Sequence, residues 1–450
     1  MSIISSYDNY LDQLKKTNLV EKWNGYISSK EQLKTRLEEY GIPKRNTESW
    51  RYTSAKFLND LQFQFNILLE SQKDEDLSSE VQKLLLKDCY HLVIVNGVFF
   101  KSLSQLPIDG LSIEAITNDN QSSKEKNFEN FDQLEEKSSF SFSPALNILN
   151  QLYSIETIKI TLGKGLQLNQ PLQILNLTHA QDKLNVIANP TVFLELSENS
   201  KASILYSSQG SDSVKYAVNS QIRANLHEGA QLELVNETRQ SFQAYHMDQI
   251  LVNLSRNSTL KYLDYNISSL LSRHELVVNL NSEGSTAEVL GVSLLQKTEH
   301  CDHQTKIHFK ASHTQAEQLY KNILDDQTRA VFSGTVYIDL DLFDVNSAQL
   351  NNNLLLSNTA ESNSKPILMI HSDDVKATHG STVGQLNEEE LFYLQSRAIS
   401  YDRAKELVSM GFLIQVIEKM ENSLIKSYLK QGLVDKYLKT KSRQSVRHLE

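Results

Sequence analysis

One short pattern recurs through the middle of the chain. Glu198-Asn-Ser, Glu228-Gly-Ala, Arg256-Asn-Ser and Glu283-Gly-Ser stand 30, 28 and 27 residues apart, and each precedes a run in which apolar and polar residues alternate. Leu232 and Leu234 alternate with Gln231 and Glu233, Leu260 and Tyr262 flank Lys261, and Val192 and Leu194 flank Phe193. Such alternation marks strands with one buried face, and the Asn, Gly and Ser punctuation marks turns. A spacing of this length is typical of stacked repeats. A single unit buries too little surface to stand alone. Stacking the units builds a continuous core and pairs most strand edges. The pattern predicts a β-solenoid from about Ile155 to His371. A sandwich is the alternative, because the repeat is a turn-and-strand pattern and not a strict one.

The flanks read as helical. Tyr7, Tyr10, Leu11 and Leu14 fall on one helix face. Ser29 as N-cap, Gln32 at the capping-box position and a Leu33, Leu37, Tyr40 stripe predict a second helix, closed by Gly41 and Pro43. The following loop, Pro43 to Thr53, carries Trp50 and Tyr52, whose large rings suit anchoring by burial. His91 to Val95 reads as a strand, Asn96-Gly97 as a hairpin turn and Val98 to Phe100 as the return strand. Residues 117–139 have the polar composition of a mobile linker. Beyond the repeats, Asn387 with Glu390 caps a helix carrying Leu391 and Leu394, and Ser400 or Asp402 starts another. Ala404, Leu407, Val408, Gly411, Leu413 and Ile414 give that helix a broad apolar face. Leu424, Ile425, Tyr428 and Leu429 mark a third, with a basic tail after Lys436 expected to fray. The division is a helical or mixed region at 1–150, a β core at 151–386 and a helical region at 387–450.

At 450 residues the chain supports more than one packed region. Its 55 acidic residues outnumber 45 basic ones, which excludes broad attraction to nucleic acid. Two cysteines, Cys89 and Cys301, make neither a disulfide framework nor the four thiolates of a self-contained iron–sulfur site. The N-terminal residues lack the pattern of a signal peptide, and no apolar run reaches the length of a membrane span. The expectation is a cytoplasmic protein in a reducing compartment.

Two segments carry candidate chemistry. Ile370 to Gly380 combines His371 and His379 with Asp373 and Asp374, and on its own reads as a polar turn. Glu299-His-Cys-Asp-His303, followed by His308 and His313, places Cys301 and His303 on one face of an extended strand, where both suit a metal. It lacks the paired spacing of a zinc knuckle, and polar residues on a half-buried sheet commonly face solvent. Cys89 precedes an apolar strand and reads as a small buried residue. No Walker loop or G-x-S-x-G elbow occurs.

The C-terminal third resembles the SufB/SufD family of iron–sulfur cluster assembly scaffolds. The matching segments run in order. They are Gln318-Leu-Tyr-Lys321, Ala330-Val-Phe-Ser-Gly334, Ala348 to Ser357, Lys365-Pro366, Asp373-Asp-Val-Lys-Ala-Thr-His-Gly-Ser-Thr-Val-Gly-Gln-Leu386, Leu391-Phe-Tyr-Leu394 and Ser396-Arg397. His379-Gly380 and the scarcity of thiols point to the SufD-type branch. The resemblance implies a mainly β protein with a right-handed parallel β-helix core between helical regions. It implies a non-catalytic scaffold that pairs with SufB and binds the SufC ATPase through its C-terminal helices, with Leu407, Val408, Phe412 and Ile414 as contacts. It implies that His379 serves a nascent cluster at the SufB interface, beside a thiolate from SufB. No cofactor is then expected to stay tightly bound to the isolated chain, the cluster being transient. A homodimer of the isolated chain stays open. Ala377, Thr314 and Ala398 depart from the family pattern, which often has cysteine at the first two and glycine at the third. A solenoid carbohydrate-active enzyme and a structural or metal-storing solenoid are the alternatives.

Overall fold

The computed structural model of the chain describes residues 24–60, 63–64, 75–106, 109–116, 143–179, 185–211 and 214–447. In chain order the strands are β1 (Phe63–Gln64), β2 (Tyr90–Val95), β3 (Val98–Phe99), β4 (Leu111–Ile116), β5 (Thr157–Leu162), β6 (Leu172–Thr178), β7 (Asn185–Ala188), β8 (Thr191–Leu196), β9 (Lys201–Gly210), β10 (Tyr216–Leu226), β11 (Gln231–Arg239), β12 (Tyr245–Leu254), β13 (Thr259–Ser268), β14 (Leu271–Leu280), β15 (Thr286–Leu295), β16 (His300–Phe309), β17 (Thr314–Leu324), β18 (Arg329–Ile338), β19 (Phe343–Leu355), β20 (Glu361–Ile370) and β21 (Asp374–Gly384). The helices are α1 (Asn24–Tyr40), α2 (Phe57–Asp60), α3 (Glu75–Leu84), α4 (Pro144–Tyr153), α5 (Glu388–Gln395), α6 (Tyr401–Ile417) and α7 (Ser423–Arg447).

From β8 onward successive strands alternate between two sheets, and each pairs in parallel with the strand one coil later. This is a parallel β-solenoid. The sandwich alternative fails because its sheets would be antiparallel. The repeated tripeptides form one ladder of corners. Gly165, Asn199, Gly229, Asn257 and Gly284 all adopt positive φ, between 55° and 72°. The N–H of each donates to a carbonyl of the next coil: Gly165 to Glu198, Asn199 to Glu228, Gly229 to Arg256, Asn257 to Glu283 and Gly284 to His313. The serine that follows closes the turn, as Ser200, Ser258 and Ser285 each donate to the carbonyl three residues back at 2.7 Å.

Inside, inward-facing residues stack in register. Leu194, Ala224, Val252, Val278, Ile307 and Val336 form one such row along the first sheet. Each coil adds little apolar area, and the stack makes the core. On the outer face of the second sheet, Leu413, Val416, Ile417, Ile425 and Leu429 of α6 and α7 pack against Val235, Leu263, Val292 and Ile323. A second cover includes Leu37, Trp50 and α4. Trp50 is buried, as its size predicts, with the Arg273 guanidinium 4.0 Å from its ring centroid.

The hairpin forms as expected: Asn96 and Gly97 take φ of 50° and 85°, and β2 and β3 pair antiparallel. Two readings change, and two fall on residues not described. Helix α1 already runs from Asn24, so Ser29 is interior to it and not its cap. Helix α7 continues beyond Lys436 to Arg447, and the Lys436 ammonium donates to Leu294 O at 2.5 Å and to Glu299 Oε2 at 2.6 Å. The helix expected around Tyr7 to Leu14 and the linker at 117–139 lie outside the described residues.

Candidate functional site

Strand alternation puts Cys301 and His303 on one face of β16, and that face points into the solenoid. Register then assembles the rest. Asp248, His274 and His303 occupy one row across β12, β14 and β16. His246, Ser272 and Cys301 occupy the row two residues earlier. The second sheet supplies Asn236 and Asp264 in one row and Asn266 and Ser293 in another. His246, Asp248, Asp264, His274, Cys301 and His303 are each no more than 2% exposed. The expectation of solvent-facing side chains therefore fails: in a two-sheet solenoid the inward face is sealed.

The contacts are dense. Cys301 Sγ lies 3.7 and 3.6 Å from Nδ1 and Nε2 of His303, and Asn266 Nδ2 donates to it at 2.9 Å. The His274 and His303 rings stack at 5.2 Å. His274 Nδ1 meets Asp248 Oδ2 at 2.7 Å, and His246 Nε2 reaches the same oxygen at 3.0 Å. His303 Nε2 stands 3.5 Å from Asp264 Oδ2. Tyr320 packs its ring 5.0 Å from that of His303, and Gly291 leaves it room, since a Cβ there would lie 2.0 Å from Tyr320 Cδ1.

Burial disfavours every charge here, and mutual pairing decides which survive. Burial opposes the Cys301 thiolate, yet His303 and His274 hold the thiol well below its usual range. Burial likewise opposes the His274 cation, but Asp248 and Asp264 hold it well above the ordinary imidazole value. Asp264 is pushed up to about 6 by burial, against the pull of His274 and His303. Asp248 stays low despite burial because His274 and His246 bond it. The thiolate and imidazoles offer ligands of the kind that suit zinc and ferrous iron. Because these carboxylates face the interior, they form no surface pair for a polysaccharide.

Sequence reasoning singled out Cys301 and His303 but missed His246, Asp248, Asp264 and His274. A signal was present: His274 and His303 stand 29 residues apart, the coil step from β14 to β16, and Asp248, two residues after His246, stands one coil before His274. His308 and His313 do not join them. Each pairs with an aspartate one coil on, Asp339 at 2.9 Å and Asp344 at 2.7 Å. Cys89 is buried, and burial first, then Asp88, raises its thiol to about 11.

His379 lies elsewhere, on β21, in register with the buried Gln349 of β19. Val375 and Ala377, on the same side of that strand, pack against the solenoid core, while His379 is exposed. Strands β20 and β21 end their sheets, and among the described residues nothing pairs with their outer edges. The turn before β21 is tied by Ser372, which accepts from Leu342 N and donates to Asp339 O. His371 sits against Tyr337 and is not brought to His379. Exposed apolar side chains rim this end: Leu350, Ile370 and Val383. Of the helical residues expected at a partner contact, Leu407 is 42% exposed. Val408, Phe412 and Ile414 are half-buried, the last two against the cluster under α6. Phe392, Tyr393 and Tyr401 extend the exposed surface.

A family profile described as SUF system FeS cluster assembly, SufBD core domain, matches residues 177–412, more than half of the chain. The iron–sulfur cluster assembly protein SufD of Escherichia coli is 26% identical over 388 residues, covering 86% of this chain and 87% of its own length. A SufBD family protein of Synechocystis is 26% identical over 404 residues, covering 87% and 86%. The cluster assembly protein SufB of Bacillus subtilis is 29% identical over 157 residues, covering 35% and 34%.

Proposed function

Because the chain belongs to the SufBD core family of SUF iron–sulfur cluster assembly proteins, we propose that it is the SufD-type scaffold subunit of a complex with SufB and SufC. The observation that carries this reading is the uncapped C-terminal end of the solenoid, where His379 stands on an edge strand. Two parallel edges with unpaired backbone groups are a template for another β-solenoid. SufB docks there, and its thiolate and His379 face the nascent cluster together. The missing thiol at Ala377 makes the thiolate the partner's contribution. Neutral imidazole either ligates the iron or handles a proton beside it.

SufC docks on the C-terminal helices, through Leu407 and the neighbouring Phe392, Tyr393 and Tyr401. Nucleotide binding by SufC then shifts the SufB–SufD interface, provided ATP-bound SufC favours one state of the complex. The chain itself performs no hydrolysis in this scheme. Among the described residues no helix is long and apolar enough to cross a membrane.

Co-expression with SufB and SufC, followed by anaerobic purification and iron and sulfide analysis, tests the proposal. The three chains are expected to co-purify. His379→Ala is expected to keep assembly and lower cluster build-up by at least about tenfold, the scale of losing a metal-site partner. Three soluble chains that fail to assemble refute the partnership. Undiminished cluster formation by His379→Ala refutes the role of that imidazole.

A further inference from the structure

The sealed cluster inside the solenoid is separate from the His379 end. We infer that Cys301, His303 and His274 bind a divalent transition-metal ion of the zinc and ferrous class within the core.

One ligand atom from each of the three lies within 4.8 Å of the others. A tetrahedral ion with sulfur at about 2.3 Å and nitrogen at about 2.0–2.1 Å sets those two ligand atoms about 3.6 Å apart. Cys301 Sγ and His303 Nε2 are 3.6 Å apart. His274 gives its Nδ1 to Asp248 Oδ2 at 2.7 Å, which leaves Nε2 on the side of Asn266 and Cys301 as the ligand atom. A carboxylate on the far nitrogen of a histidine is the arrangement that fixes the tautomer of a metal ligand. Asn266 donates to the sulfur, as expected of a group that steadies a thiolate.

A second observation favours a cation at this place. Asp264 is 1% exposed, and among the described residues its Oδ1 has no hydrogen-bond partner; His274 Nδ1, already bonded to Asp248, stands 3.7 Å from it. Its other oxygen stands 3.5 Å from His303 Nε2. A buried carboxylate oxygen left without a hydrogen bond is costly, and a metal cation within reach supplies what an imidazole at 3.7 Å does not. The thiolate and the Asp264 carboxylate together balance a divalent charge. Thiolate with imidazole selects zinc or ferrous iron over magnesium or calcium. Tyr320, seated over Gly291, closes the cluster on the side of the next coil.

The test uses the full chain, stripped with chelator and titrated anaerobically with Co²⁺. A thiolate-to-cobalt charge-transfer band is expected, saturating at one ion per chain and displaced by Zn²⁺. Cys301→Ser and His303→Ala should lose it, while Cys89→Ser and His379→Ala keep it. Asp248→Asn should weaken uptake about 10- to 100-fold. Persistence of the band in folded Cys301→Ser overturns the assignment. Where that variant does not fold, zinc-edge X-ray absorption on the unaltered, zinc-loaded chain decides. One sulfur among nitrogen and oxygen neighbours supports the site, and a shell without sulfur, or no tight uptake, overturns it. Either failure leaves the His379 proposal standing, because that residue is read out in the complex with SufB.

Discussion

Ala398 shows how one residue type can be legible in sequence while its consequence needs geometry. The sequence marks it as an alanine after Ser396-Arg397, where the family resemblance leads one to expect glycine. In the fold it takes φ of 64°, just past the end of α5. Ala398 N donates to Gln395 O, and Ile399 N donates to Leu394 O, the paired bonds of a Schellman closure. That closure demands a left-handed residue, and a Cβ there costs about 1–2 kcal/mol. Ala398→Gly is therefore expected to stabilise the chain by about 1 kcal/mol, the gain being offset partly by unfolded-state entropy. A rise in melting temperature of the full chain checks it, and a fall contradicts the strain. The buried site follows the same logic. Asp248, His274 and His303 were legible at the coil spacing, because one sheet contributes all three in one row. Asp264 was not, because it arrives from the opposite sheet, and only the depth of each coil decides what faces what.

At the level of elements, the corner ladder explains why the repeated tripeptides alternate asparagine with glycine. Asn199 reaches over Gly229, and Asn257 over Gly284. A Cβ on either glycine would lie 2.4 or 2.1 Å from the asparagine Oδ1. Two constraints thus meet at Gly229, positive φ and lack of space. Gly229→Ala is expected to cost about 2–3 kcal/mol, more than the 1–2 kcal/mol of backbone strain alone. In an Asn199→Gly background the excess should vanish, which a double-mutant cycle on thermal or urea unfolding measures. Equal costs in both backgrounds would leave the contact without energetic weight. The strands and corners were readable because alternation and turn chemistry are local. Helix starts were readable where a side chain caps its own helix. Asn387 accepts from Glu389 N, and Ser400, not Asp402, accepts from Arg403 N. The cap expected at Ser29 does not form, because α1 runs through it, and the neighbouring Lys30 ammonium donates to Leu152 O and Ser154 O.

Across the whole molecule the two ends of the solenoid differ. At the N-terminal end β3 and β4 each lie antiparallel on the last strand of a sheet, which stops the parallel ladder. At the other end, among the described residues, nothing pairs with the outer edges of β20 and β21, and Ile370 is 39% and Val383 52% exposed beside them. An open parallel edge with an apolar rim invites uncontrolled pairing unless a partner covers it. The asymmetry therefore favours a complex joined end to end, in which the sheets of one subunit continue into those of the next. Charges placed on this rim should block that joining without touching the interior. The double variant Ile370→Lys, Val383→Lys is expected to fold, with stability changed by about 0.5 kcal/mol or less per site, as is usual for exposed positions. It is also expected to lose co-purification with SufB while retaining SufC, whose proposed surface lies on α5 and α6. Size-exclusion chromatography of co-expressed chains reads both outcomes at once. SufB eluting with the double variant in wild-type amount would show that the open edges are not the joint. Loss of SufC together with SufB would show that the two surfaces are one.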